Sequence, residues 1–320
     1  MEVVKPFLNL DEQVDLLTSR GLIIEDRELA KKILFTHNYY RLSAYSLTLR
    51  KSDDTFYPGT KFSDICILYD FDTEFRQIIF RHTGLIEVSL RSYIAYWHAK
   101  QYGPLGYRDA ANFKAPYYHA LFIEHIDDLM DRSQDLSILY HRRKLWPIYG
   151  DAFQQGVPIW VAVESSTFDT LSKLYKNLKS KDADHIADEH YHVSRPYVES
   201  WLRCAVDARN AAAHRGRFYN RSFSDYAKLP SFLQGEFDGN RTFAFVFAIY
   251  SLLPFEQMKM AFIRDISALL IANPFVLLKH LDFPEYWKDI LIYSKDSKAF
   301  RALHGRITAM FRIRRTARPA

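Results

Sequence analysis

The sequence predicts an all-α protein, and three observations carry that reading. Apolar residues recur at threes and fours over long stretches, the spacing that lines one face of a helix. Glycine is scarce, at 11 in 320 residues, and no Asn-Gly or Asp-Gly turn joins two alternating segments, so hairpins are weakly signalled. Hydrophobic residues make up 48% and charged ones 25%, enough apolar surface to offset ordering entropy and too much for extended disorder.

The elements follow in chain order. In LDEQVDLLTSRGL, Leu10, Val14 and Leu17 share a face, acids open the helix and Gly21 stops it. The stretch FSDICILYDFDTEFRQIIFRHTGLIEVSLRSYIAYWHAKQYG predicts one long helix. Its stripe runs through Ile65, Leu68, Phe71, Phe75, Ile78, Ile79, Leu85, Ile86, Leu90 and Ile94, with Ser63 or Asp64 as N-cap and Gly103-Pro104 as the end. Further helices are expected near 117–145, 164–179, 195–215, 241–253, 255–272 and 284–310, with loops at 51–60, 103–116, 150–158 and 220–240. About ten helices in one body result, without internal repeats.

Composition narrows the function classes. Two cysteines, Cys66 and Cys204, cannot make a disulfide framework, and the opening MEVVKPFLNLDEQV has no basic leader followed by an apolar core. The longest apolar run, FAFVFAIYSLLPF at 243–255, falls short of the roughly 20 residues a bilayer demands. A cytoplasmic protein with reduced thiols, off the membrane, is the expectation. The net charge of +5 is concentrated at the end: after Asp296 come seven basic residues and no acid. That leaves 36 basic against 38 acidic residues before it. A near-neutral body with a cationic end carrying Arg312, Arg314 and Arg315 suits an anionic polymer such as RNA, and equally describes a solvated terminal helix and tail.

The stretch RNAAAHRGRFYN, residues 209–220, raises the functional question. Arginine, then four to six residues, then histidine is a spacing found in a large group of RNA-cleaving helical proteins. With 25 Arg and 12 His, the three occurrences at or near it (Arg76–His82, Arg91–His98 and Arg209–His214) are no more than chance supplies. The first two lie on ordinary faces of the long helix and read as structural or solvated pairs. Arg209–His214 differs in context: small Ala211, Ala212 and Ala213 permit close approach, and Gly216 offers a stop that puts His214 in the last turn. Asn210 sits four residues before His214, near enough to orient its ring. Arg209 and His214 are about 140° apart around the helix, so one helix cannot aim both at one phosphate, whereas two copies across a symmetric interface can.

RNAAAHRGRFYN resembles the R-N-x-x-A-H motif of the Abi-like proteins, the abortive-infection group within the HEPN superfamily. KPFLNLDEQVDLLTSRGLII (5–24) and NYYRLSAY (38–45) are similar to that family's opening, and YDFDTEFRQII (69–79) with IEVSLRSYIAY (86–96) resembles its central helices. PIWVAVESSTFDTLSKLYKNL (158–178) is similar to its P-I-W-V…E…F-G-x-L-S segment. The resemblance spans most of the first 220 residues and fades after about 222. Two departures stand out: Arg215 occupies the place of a frequent second histidine, and Asp169 that of the F-G-x-L-S glycine.

The resemblance implies a HEPN-like helical bundle with extra N- and C-terminal helices. Residues 1–222 would carry the motif, 223–296 a helical extension of the same body, and 297–320 a basic helix or tail. It implies a homodimeric, metal-independent endoribonuclease without cofactor, acting as an abortive-infection or toxin effector in phage defence. RNA carries its own nucleophile, the 2′-OH, so such an enzyme moves protons and stabilises a phosphorane. On this reading Arg209 binds phosphate, His214 does acid/base work and Asn210 orients. Glu164 and Ser172 match the family's E…L-S segment and would support the site, or else be a helix-start acid and a solvent-facing serine. Arg215, Arg217 and Arg221 with Phe218 and Tyr219 would hold RNA backbone charge and stack bases, or form a solvated loop. The alternative function is an RNA-binding protein that holds a structured non-coding RNA, as in a toxin–antitoxin pair, with the motif as a phosphate clamp. A protein scaffold is a third reading. No DNA specificity is expected. DADHIADEHYH (182–192) bunches three histidines with four acids, but at no standard zinc spacing, and reads as an exposed acidic segment.

Overall fold

A stripe of apolar residues at threes and fours over forty positions requires a partner along its whole length, and this sets the architecture. The computed structural model describes residues 6–140 and 156–294. Among them are thirteen α-helices and no strand or sheet, only isolated bridges. In order these are α1 (Leu10–Ser19), α2 (Arg27–His37), α3 (Tyr39–Ser43), α4 (Phe62–Tyr102), α5 (Pro116–Arg132) and α6 (Leu136–Tyr140). Then follow α7 (Ile159–Ala162), α8 (Phe168–Asn177), α9 (Ser180–Ile186), α10 (Arg195–Ala213), α11 (Thr242–Leu252), α12 (Glu256–Ala272) and α13 (Trp287–Ile292).

The spine is α4, whose 41 residues span roughly 60 Å. Phe71, Phe75, Ile79, Ile86, Leu90 and Ile94 are buried along it, and helices α7 to α12 all pack against this face. The apolar run that is too short for a bilayer becomes α11, buried on every side because α10, α4 and α13 surround it. Helices beyond residue 222 thus share one core with those before it. No helix of the described residues is long and apolar enough to cross a membrane.

Caps explain several boundaries and correct others. Asn9 caps α1 by accepting from Glu12 N at 3.0 Å while the Glu12 carboxylate accepts from Asn9 N at 2.7 Å, a reciprocal box. The N-cap of α4 is Lys61, two residues before Ser63 and three before Asp64; Asp64 instead reaches back to accept from Lys61 N at 2.8 Å. Gly103, at φ +79°, ends α4 as expected. The helix expected at 164–179 starts at Phe168, because Thr167 caps it after a short turn at Val163–Ser165. Helices α2, α3 and α9 lacked a clear sequence signal. The 182–192 stretch exposes Asp184, Asp188 and Glu189 as expected of an acidic segment, but it is anchored on its other side: α9 and a π-helical turn at Ala187–Tyr191 bury Ala183, Ile186, Ala187 and Tyr191. The expected helical residues 141–145 and 295–310, and Arg312, Arg314 and Arg315, lie outside the described residues.

Candidate functional site

The motif occupies the C-terminal end of α10. Val198, Trp201, Leu202, Ala205 and Ala208 are buried, with α10 packed against α4, α8 and α11, leaving the end of the helix at the surface. His214 is the C-cap residue and is exposed. The chain then turns through a two-bond terminus: Arg215 N donates to Ala212 O at 3.2 Å and Gly216 N to Ala211 O at 2.7 Å. The left-handed residue of this terminus is Arg215, at φ +56°, not the glycine the sequence offered as the stop. Gly216 serves a different need, since a Cβ there would come within 3.1 Å of Ala211 O and of the Arg221 guanidinium.

Arg209 is half-buried, its guanidinium 5.8 Å from the centre of the Phe80 ring on α4. Arg209 Nη1 donates to Asn210 Oδ1 at 3.2 Å. Asn210 therefore orients the arginine rather than the histidine; its link to His214 is the helical bond from His214 N to Asn210 O at 2.9 Å. Arg41, which the sequence reading passed over, adds a third cation. Its exposed side chain reaches from α3 to Arg215 O, 2.8 Å away, beside the histidine. The only sequence sign of it is its place in NYYRLSAY.

The segment after the motif is held from beneath by a buried carboxylate. Asp72 on α4 is fully buried and accepts from Tyr219 N at 2.8 Å and Phe218 N at 3.1 Å. It also accepts from Tyr45 Oη at 2.7 Å and Arg76 Nη1 at 2.6 Å. Burial pushes the Asp72 carboxyl up; Arg76, Tyr45 and the two backbone N–H groups pull against it. Thr242 Oγ1, at the start of α11, donates to Phe218 O at 2.7 Å and secures the other side. Residues 38–45, 69–79 and 209–220, far apart in sequence, converge at this point.

This anchoring corrects the RNA-contact expectation for 215–221. Phe218 and Tyr219 are core residues: Phe218 packs 5.5 Å from Phe75 and 5.6 Å from Phe223, and Tyr219 bonds Thr48 through its hydroxyl at 3.0 Å. Neither ring can stack on a base. Arg217 also turns inward, donating to the carbonyls of Ala44, Tyr219 and Asn220 at 2.9–3.1 Å, and burial lowers its pKa. Arg221 lies over the Phe223 ring at 4.3 Å and donates to Arg217 O, which leaves it half-buried. Of the basic set, Arg215 alone is fully exposed among the described residues.

Glu164 is exposed on the turn before α8 and Ser172 is buried on α8, not solvent-facing. Among the described residues neither bonds to Arg209, Asn210 or His214. Arg91 on α4 holds that turn instead, donating to Val163 O at 3.1 Å and Ser166 O at 2.9 Å while paired with Glu87. Of the structural and solvated readings of the other two Arg/His pairs, the burial of Arg76, His82 and His98 favours the structural one. Arg76 belongs to the Asp72 node, and buried His82 bonds Asp265 at 2.9 Å.

Asp207 was also missed. It sits seven residues before His214, almost on the same helix face. Its Oδ2 is enclosed with no hydrogen-bond partner among the described residues. Burial pushes its carboxyl up, and Arg221 pulls it down. No group of three or more His, Cys, Asp or Glu side chains among the described residues could hold a metal ion. In the 182–192 stretch the His190 ring stacks on Tyr93 at 3.5 Å and accepts from Trp97 Nε1 at 2.8 Å, which fixes it as a packing group.

Neither a curated protein nor a solved structure matches the chain. Its sequence does match the family model for Abi-like proteins over residues 32–220, a span that begins in α2, contains all of α4 and ends one residue past Tyr219. That is more than half of its length, so the chain belongs to the Abi-like family, with the abortive-infection-related role the name denotes.

Proposed function

We propose that this chain is a metal-independent endoribonuclease of HEPN type, acting as a homodimer in abortive infection. The observation that supports it best is the placing of its polar motif. An exposed imidazole caps α10, and a guanidinium oriented by Asn210 and an aromatic ring lies one turn earlier on another side. In the reaction His214 takes the proton of an RNA 2′-OH, whose oxygen attacks the adjacent phosphorus. The P–O5′ bond breaks, the leaving oxygen acquires a proton, and the products carry 2′,3′-cyclic phosphate and 5′-OH ends. Arg209 offers a planar fork of donors to the non-bridging oxygens. Losing such a donor reduces rate by roughly 10²–10³-fold elsewhere.

Two copies fit this arrangement better than one. With Arg209 and His214 separated by about 140° around α10, a second α10 related by a two-fold would bring one copy's arginine toward the other's histidine. Beside Arg209, α4 exposes a short row, Phe80 at 48% with Gly84, open on its outer side, about one turn later. Such a row is a surface a symmetry mate could cover.

The test incubates purified full-length protein with total RNA in EDTA, comparing wild type with His214→Ala. Cleavage by wild type, lost at least 100-fold in the variant and leaving cyclic-phosphate ends, is expected. Equal cleavage by both, or none by either, counts against the enzyme reading. A second reading, an RNA-binding protein that holds a structured RNA, is favoured by exposed Arg41 and Arg215 flanking His214. It predicts one abundant, intact RNA co-purifying with the protein and released by salt.

A further inference from the structure

Of the seventeen arginines among the described residues, eleven form ion pairs with a carboxylate. The six that do not are Arg41, Arg209, Arg215, Arg217, Arg221 and Arg241. All six gather where α10 ends: they stand near the end of that helix, on the chain leaving it, or bond to that chain. Arg217, Arg221 and Arg241 spend donors on residues 217–222. Arg41, Arg209 and Arg215 keep donors open, and cations left without carboxylates in one place suit a phosphate.

Arg41 is the one supplied from outside the motif, and it is held in place. Its Nη1 donates at 2.8 Å to Arg215 O, the carbonyl of the residue after His214, while Nε and Nη2 have no acceptor among the described residues. The segment that carries it is tied to the chain leaving α10 at three further points. Arg217 Nη1 donates to Ala44 O at 3.1 Å, and the Thr48 and Tyr219 hydroxyls bond at 3.0 Å. Tyr45 Oη donates to the same Asp72 carboxylate that holds Phe218 N and Tyr219 N. Backbone strain stands on both sides of the contact. Asn38, just before α3, is at φ +67° and Arg215 at φ +56°. Asn38 Oδ1 accepts from Tyr40 N at 2.8 Å, which caps α3 and sets the direction in which Arg41 leaves it. Positive φ at residues with a Cβ costs about 1–3 kcal/mol and persists where the surroundings enforce it.

Arg209 leaves α10 about 140° around from His214. Arg41 instead reaches the end that His214 caps, and does so within one chain. We propose that Arg41 binds the non-bridging oxygens of the RNA phosphate on which His214 of the same chain acts. For the contact this rests on RNA binding alone, and for the chemistry it rests on the ribonuclease reading. Arg41 transfers no proton. The 2′-OH gives its proton to His214, its oxygen bonds to phosphorus, the P–O5′ bond breaks and O5′ takes up a proton. The open donors of Arg41 meet the negative charge that gathers on the non-bridging oxygens meanwhile. Arg209 of a second copy then approaches from the other side, so that two guanidiniums flank one phosphate.

Two measurements on the full-length protein in EDTA test this. The first titrates a fully 2′-O-methylated, mixed-sequence RNA oligonucleotide, which cannot be cleaved, at several salt concentrations. Arg41→Ala should weaken binding and lower the salt slope by about one phosphate contact. Arg132→Ala, which removes an exposed arginine paired with Asp128, should change neither. The second follows cleavage of total RNA, where Arg41→Ala should lose roughly 10²-fold in rate, as for a lost oxyanion donor. Arg41→Lys retains a donor for Arg215 O and so guards against a folding artefact: it should keep the salt slope but not the rate, because an ammonium lacks the planar fork. When co-expressed, Arg209→Ala and His214→Ala should restore cleavage to each other, whereas Arg41→Ala and His214→Ala should not. Absence of binding by wild type, or a salt slope unchanged in Arg41→Ala or equally lowered in Arg132→Ala, overturns the proposal. Cleavage by Arg41→Ala at the wild-type rate, or its restoration by His214→Ala, also overturns it and leaves the roles of Arg209 and His214 intact. Should wild type bind without cleaving, the ribonuclease reading fails and the salt slope alone decides the Arg41 contact.

Discussion

Arg215 holds a left-handed backbone at the end of α10, at φ +56°, with glycine available one position later. For an L-residue with a Cβ that conformation is destabilising by about 1–2 kcal/mol, and such strain persists where the side chain is wanted. Arg215 is exposed next to His214, so its side chain contributes little packing to offset the strain. Arg215→Gly should therefore raise stability by about 0.5–1 kcal/mol, the left-handed relief less glycine's greater unfolded entropy. A urea unfolding midpoint that stays put or drops would show that the bond from Arg41 to Arg215 O, rather than strain, governs this residue. The motif itself was legible: Arg209, Asn210 and His214 stand at the surface end of a helix, as the sequence implied. What the local pattern concealed was the direction of Phe218, Tyr219 and Arg217. Alternating aromatic and basic residues look the same whether the rings face solvent or core, and Asp72, which decides it, lies 146 residues before Phe218.

At the scale of elements, α4 and α10 meet at the motif through that carboxylate. Asp72 ties Tyr45, Arg76 and the backbone of residues 218–219 into one buried node, so the chain leaving His214 is held against α4. Asp72→Asn removes the counter-charge of Arg76 and turns an amide donor toward backbone donors. It should destabilise the protein by about 3–5 kcal/mol, as breaking a buried pair does. Tyr45→Phe, which removes one of four donors, should cost about 1 kcal/mol. Limited trypsin digestion adds a local readout: cleavage at Arg217 should be faster in Asp72→Asn than in wild type. An Asp72→Asn protein within 1 kcal/mol of wild type and equally resistant at Arg217 would remove the node from the account. The same scale explains which helices the sequence disclosed. The long periods of α4 and α10 advertise themselves, whereas α2 and α9 are short and rich in charge, and tertiary contacts decide their state. In α9 and the π-helical turn after it, the buried face is made of Ala183, Ile186, Ala187 and Tyr191, with charged residues and histidine between them.

At the scale of the molecule, four histidines among the described residues are folded into places that favour their neutral form. His82 and His98 are buried on α4, and His190 and His280 are half-buried; burial lowers the pKa of each. At His82 the Asp265 carboxylate pulls the other way without overcoming burial. The unfolded chain takes up protons at these rings near the ordinary value of about 6.5, before the folded chain does. Stability is therefore full above that pH and falls as the pH drops below it, by up to about 1.4 kcal/mol per unit for each histidine. The carboxylates whose pKa values are lowered, Asp11, Glu25 and Asp53, lose their contribution only as pH falls through the carboxylate range and below, so the histidine loss begins first. The thermal midpoint, followed by circular dichroism from pH 7.5 to 5.5, should decline steadily. His98→Phe should flatten the decline by one histidine's share, since Tyr102 and Phe113 already flank that ring at 4.9 and 5.2 Å. A midpoint constant over the whole interval would mean that these rings are as free to charge in the fold as in the unfolded chain, and the packing of α4 against α12 and residues 102–113 would have to be drawn differently.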